Sequence, residues 1–208
     1  MAERIPHNSE SLKARFPEVY REFFSKCALV CSAPRSVALV GEYIGYEALG
    51  MRQTLPMRTY VGLTPRRVDG LAVVQYVTFD PEEGKFHEHI LEDDLKGHVE
   101  DKISPLLHTI FPKLTTQGFD VYILSELPLE RALGGAGSLI VSLTIALLLS
   151  HEIIKKDHIF SWKKGTIQEL ISNVETKFDL TVRTIWTVEI ALYYTASAIS
   201  HFISLVAS

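Results

Sequence analysis

Apolar residues along positions 9–26 recur at helical spacing, at Leu12, Phe16, Val19 and Phe23. Pro17 interrupts the stripe. Proline suits the first turn of a helix and breaks its interior, so a second helical segment is predicted to begin there. The period then changes. Residues 27–32, 37–40, 59–64 and 71–79 are apolar and partly β-branched, and each run predicts a strand. Arg66-Arg67-Val68-Asp69-Gly70 separates the last two runs, and its Asp-Gly pair predicts a hairpin joining them. Pro81 to Gly84 predicts another turn. Residues 86–91 predict a further strand, and 119–124 a clearer one. Helix is predicted again over 138–154, just after a glycine cluster. A last helix, 166–178, has a capping box of Thr166 and Glu169 and a stripe of Ile167, Leu170, Ile171, Val174 and Phe178. Strands thus precede residue 125 and helices follow it, which predicts an α/β or α+β fold.

Composition narrows the class. The chain has 208 residues, 47% of them hydrophobic, enough for a sizeable core and too apolar for disorder. A net charge of −4 gives no field for general nucleic-acid binding. Two cysteines rule out a disulfide framework; Cys27 and Cys31 are expected to be buried thiols in an apolar strand. The first residues, MAERIPHNSE, contain no apolar signal core, so a cytoplasmic location is expected.

Two apolar stretches mimic membrane spans. Residues 132–150 carry no charge, but their glycine-rich first third leaves only about a dozen apolar helical residues, the length of a buried core helix. Residues 186–208 contain Glu189 and His201, both costly at membrane depth. No membrane helix is expected from either. His87 and His89 share a strand face with no evident third metal ligand, and the many carboxylates of 80–101 read as a solvated excursion.

The most chemical local feature is SELPLERALGGAGSL, residues 125–139. A strand ends, a proline turn follows and glycines open a helix. The first amides of a helix lack intrahelical partners, and the dipole adds positive charge there. Glycines let a phosphate approach the backbone. Neither the Walker A pattern nor the GxGxxG fingerprint is present. Tight packing of a helix start against a sheet is the other reading.

A second segment supplies context. APRSVALVGEYIGYEALGMRQTLPMRTYVGLTP, residues 33–65, resembles the first motif of the GHMP small-molecule kinases through Ala33, Pro34, Val37, Gly41, Glu42, Tyr46, Gly50, Leu55 and Pro56. Pro128, Leu133, Gly134 and the small residues that follow resemble the family's second motif. The resemblance spans residues 30–150. It implies an α+β, two-layer fold like ribosomal protein S5 domain 2. It also implies transfer of the ATP γ-phosphoryl group to a hydroxyl of a small molecule, a sugar such as galactose or a mevalonate-like acceptor, with Mg²⁺. Positioning and charge neutralisation carry such chemistry. The resemblance assigns Leu133, Gly134, Gly135, Ala136, Gly137 and Ser138 to the ATP phosphates, and Arg35, Ser36, Glu42 and Tyr43 to the acceptor.

The departures from the family pattern are specific. Ser36 stands where the family has a basic residue, with Arg35 beside it; consecutive strand residues face opposite ways, so Arg35 replaces it only through a one-residue shift in the turn. Tyr43 replaces a histidine, and Gly45 an aspartate that contacts sugar in galactokinases. Ala136 replaces the serine that helps hold Mg²⁺, with Ser138 nearby. Glu130 and Arg131 enter the first half of the loop. Glu175 is either the metal-ligand carboxylate or part of a solvated helix face. No catalytic base is assigned, since Asp179 falls early and Glu189 late. The third glycine-rich motif is missing. The expected division is therefore an N-terminal GHMP-like domain over 1–178 and an apolar segment over 179–208 that ends a truncated domain, with oligomerisation or a missing C-terminal domain as its consequence. A catalytically impaired binding or regulatory protein of the same fold is the alternative function, and an unrelated α/β binding domain is the third.

Overall fold

A computed structural model of the chain describes residues 11–40, 51–66, 71–80, 83–90, 118–127, 135–162, 164, 177 and 180–184. The polypeptide starts with two short helices, α1 (Leu12–Arg15) and α2 (Pro17–Lys26). The Ser11 side chain caps α1 by accepting from the Ala14 N–H at 3.3 Å. Pro17 occupies the first turn of α2, as its locked φ and missing N–H favour. Five strands follow: β1 (Leu29–Val40), β2 (Met51–Arg66), β3 (Leu71–Asp80), β4 (Lys85–Ile90) and β5 (Gly118–Ser125). Helices α3 (Gly135–Ser150) and α4 (Lys156–Trp162) complete the described elements. The α+β class stands as expected.

The strands form one sheet in the order β1-β2-β5-β3-β4. All neighbours are antiparallel except β3 and β5, which run parallel. The hairpin expected across Asp69-Gly70 therefore does not join β2 to β3: β5 lies between them. Asp-Gly favours a tight reversal locally, but β5 offers both strands an apolar partner and takes the central place. The turn expected at 81–84 does join a hairpin, β3 to β4, with Gly84 at φ +66°. The runs 27–32 and 37–40 belong to one strand from Leu29, so Cys27 is not in a strand but ends α2. The helix predicted over 138–154 starts earlier and stops at Ser150. Residues 166–176 and 178 lie outside the described residues.

Helices cover both faces of the sheet. On one face, α3 packs on Ala33, Val61, Leu63, Phe119, Val121 and Ile123. This helix is apolar around its whole circumference, as a fully buried helix should be; Ile140, Val141, Leu143, Ala146, Leu147 and Leu148 are all buried. On the other face, Tyr20 and Phe23 of α2 pack against Val30, Tyr60, Tyr122, Leu124, Val77 and Phe86. Edge-to-face aromatic contacts dominate there, such as Tyr20 on Tyr60 at 5.8 Å and Phe16 on Phe86 at 5.2 Å between centroids. Gly62 permits this approach: a Cβ there would stand 2.1 Å from Cys27 Sγ. Both cysteines are half-buried, and burial pushes the Cys27 thiol up to about 11 and that of Cys31 up to about 12. Among the described residues, no helix is long and apolar enough to cross a membrane.

Candidate functional site

One row of residues crosses all five strands. Ala33, Thr59, Ser125, Thr78 and His87 are successive register partners from β1 to β4. Alternation puts them on the α3 face. The rows behind are apolar, Cys31-Val61-Ile123 and Leu29-Leu63-Val121. The α3 face therefore changes from apolar to polar where the central strand β5 ends and α3 begins. This is the carboxyl end of a central strand followed by a glycine-opened helix, a place where such sheets can receive anions.

Buried hydroxyls fasten the start of α3 to this row. Ser138 donates to the Gly135 carbonyl at 3.0 Å and bonds the Thr59 hydroxyl at 2.8 Å. Ser142 reaches the carbonyls of Ser138 at 2.7 Å and Thr59 at 3.0 Å. Gly135 and Gly137 are buried as well, and Ala136 lies within the first turn of α3. Of the phosphate-site residues expected from sequence, these four open α3 together. Leu133 and Gly134 lie outside the described residues.

Arg35 enters from β1. The β1–β2 ladder shifts between Pro34 and Ser36, where Arg35 faces the longer run Leu55-Pro56-Met57. Such an irregularity suits Pro56, which cannot donate to the ladder. The Arg35 side chain is fully buried on the α3 face. Its guanidinium donates to Ser125 Oγ and to the Leu127 carbonyl, and Ser125 Oγ also donates to that carbonyl. Ser36 is equally buried, and its hydroxyl makes no hydrogen bond among the described residues. The two expected acceptor-site residues thus differ, because Arg35 is tied into the fold. Glu42, Tyr43 and Glu175 lie outside the described residues.

Sequence reasoning missed a second polar group on the opposite face. Glu126 follows β5 and is buried. The Tyr20 hydroxyl donates to its Oε1, and the Arg58 backbone N–H donates to its Oε2 at 2.6 Å. The Glu126 N–H returns a bond to the Arg58 carbonyl at 3.1 Å. Burial, then the hydrogen bond to Glu126, drives the Tyr20 phenol far above its ordinary range, so it stays protonated as a donor. Arg58 is held in turn by Ser32, through Nε to the hydroxyl at 2.9 Å and Nη2 to the carbonyl at 3.0 Å. A helical stripe shows Tyr20 as core, but nothing local marks its acceptor.

At the far side of the polar row, His87 Nε2 lies 3.3 Å from Glu83 and 3.7 Å from Asp80. Lys85 already pairs with Glu83 at 2.6 Å and holds that carboxyl below its ordinary range. The strand face was expected to lack a third ligand, but Asp80 and Glu83, on β3 and in the β3–β4 turn, bring two carboxylates to His87, with ligand-type atoms all within 4.8 Å of one another.

No protein-family model and no curated protein matches the chain. Solved structures do. Leishmania major mevalonate kinase, in complex with R-mevalonate, is similar at 13% identity and a TM-score of 0.55 over 86% of this chain and 47% of that one. The Methanococcus jannaschii mevalonate kinase is similar at 13% identity and 0.53, over 85% and 50%. A further mevalonate kinase gives 14% and 0.51, over 86% and 51%. The chain spans about half the length of these structures. With its mixed sheet, buried apolar helix and glycine-opened helix start, the chain has a GHMP-kinase-like fold.

Proposed function

We propose that this fold serves ATP-dependent phosphoryl transfer to a hydroxyl of a small molecule. The reading rests on one observation above others: a glycine-opened helix begins beside the polar row at the end of the central strand. The amides of that first turn would receive phosphate oxygens, helped by the helix dipole and unobstructed by side chains at Gly135 and Gly137. The similarity to mevalonate kinases supports the reaction class. The acceptor would be a hydroxylated small molecule of the mevalonate or sugar type.

Magnesium fits less well. It demands several oxygen ligands in octahedral array. Ser138 turns its hydroxyl to Thr59 and Gly135, away from any such array, and no step is drawn through the metal. A second reading, a nucleotide-binding relative with impaired catalysis, is favoured by Arg35. Its guanidinium is held by Ser125 and Leu127 rather than offered to a transferred phosphoryl group.

One experiment separates these readings. The full chain is titrated with ATP, with and without Mg²⁺, and ADP release is followed with mevalonate, galactose and homoserine. Acceptor-dependent ADP release supports phosphoryl transfer. ATP-induced thermal stabilisation without turnover supports the impaired relative. No ATP binding removes both.

A further inference from the structure

Strand β2 holds both ends of the strand-to-helix junction, and β1 and α2 join it at the β5 end. At one end, Arg35 of β1 grips Ser125 and the Leu127 carbonyl, while Glu126 is gripped on the opposite face by Tyr20 and the Arg58 N–H. At the other end, Thr59 of β2 bonds Ser138, and its carbonyl accepts from Ser142. Thr59 is also the register partner of Ser125. Arg35, Thr59, Ser125, Glu126 and Ser138 are all buried, so these bonds are made away from water and have fixed geometry.

We propose that Arg35, Thr59, Tyr20 and Glu126 are positioning residues, a clamp with jaws on both faces of the sheet that sets the exit of β5 against the first turn of α3. The clamp itself rests on the hydrogen bonds described; its functional consequence rests on the phosphate reading above. Arg35 thereby has a task different from charge stabilisation. It orients the backbone of Ser125 to Leu127, which would lose this donor without the guanidinium. A small misplacement of binding amides is enough to lower affinity strongly.

Amide hydrogen exchange on the full chain tests the clamp without any ligand. The variants are Arg35→Met, Thr59→Val and Tyr20→Phe, with Thr59→Ser as the hydroxyl-preserving control. Faster exchange confined to the Glu126 amide and the first hydrogen-bonded turn of α3, with the β3–β4 hairpin unchanged, supports it. Unchanged exchange at the junction, or an equal rise throughout the sheet, overturns it. Tyr20→Phe and Thr59→Val remove single hydroxyls, so they keep the test decisive if Arg35→Met does not fold.

Nucleotide binding supplies the second readout. In Thr59→Val, ATP affinity is expected to fall about tenfold and adenosine affinity by less than about twofold. Thr59→Ser is expected to restore ATP binding. Equal weakening of ATP and adenosine means a merely structural role and overturns the proposal. Failure of the unmodified chain to bind ATP removes the phosphate reading alone, and the exchange comparison still decides the clamp.

Discussion

The two faces of the sheet are stabilised by different means. Under α3, a mostly apolar helix meets mainly aliphatic strand residues, and the hydroxyls that bond it to the sheet, those of Ser138 and Ser142, lie in its N-terminal half. Under α2, the contact is mostly aromatic, and a buried carboxylate is built into it. The first arrangement gives depth of burial, which is non-directional. The second gives directional contacts, which fix how α2 sits. Their polar groups nevertheless converge on the same three residues, Ser125 to Leu127, from opposite sides.

Substitutions can break this comparison, and the largest effect belongs to the α3 face. Leu143→Ala empties a fully buried position and is expected to cost about 3–4 kcal/mol in urea denaturation. A cost below about 1 kcal/mol means that α3 is not anchored as deeply as its burial indicates.

Next comes Gly62→Ala on the α2 face. The new methyl group collides with Cys27, and about 2–3 kcal/mol should be lost. Cys27→Ala in the same chain should recover part of that loss, because it removes the Sγ and leaves the Cys27 Cβ at 2.9 Å and Phe23 Cζ at 3.4 Å. No recovery would place the strain elsewhere.

Tyr20→Phe keeps the aromatic packing and deletes one hydrogen bond to Glu126, for an expected cost of about 1–2 kcal/mol. If Glu126→Gln with Tyr20→Phe costs the sum of the two single variants, the pair is not coupled and the directional account of this face fails.

The smallest effect is a pH dependence on the α3 face. His151 packs edge-on to Phe119 at 5.9 Å, and burial holds its imidazole below the usual range. The folded state therefore takes up its proton less readily than the unfolded chain. The His151 contribution is present above the unfolded value of about 6.5 and is lost as pH falls below it toward the folded value. His151→Gln should flatten the fall in Tm between pH 7 and pH 5.5. An unchanged slope would assign that fall to other groups.

Much of this was legible in the chain. Helical spacing around Pro17 located α1 and α2, and apolar, partly β-branched runs located β3, β4 and β5 closely, whereas the run at 59–64 marked only the second half of β2, which begins at Met51. The glycine cluster marked the start of α3. The Leu-Pro return in the first motif became the irregular stretch of β2 opposite Arg35. What could not be read was pairing. The Asp-Gly signal for a β2–β3 hairpin is a local preference, and it was overruled by a strand that appears dozens of residues later. Arg35 was identified, yet its role was not, because strand alternation says which face a side chain takes and not what waits there.

The sequence by itself determined most of the elements, the burial of α3 along most of its length and the glycine-opened helix start, because periodicity and turn chemistry act over a few residues. The order of strands, the polar row and the clamp were decided only in three dimensions. Arg35 and Ser125 lie 90 positions apart, and Tyr20 and Glu126 lie 106 apart. No local pattern links such partners; they meet only once the central strand takes its place and the burial of each polar group requires another to answer it.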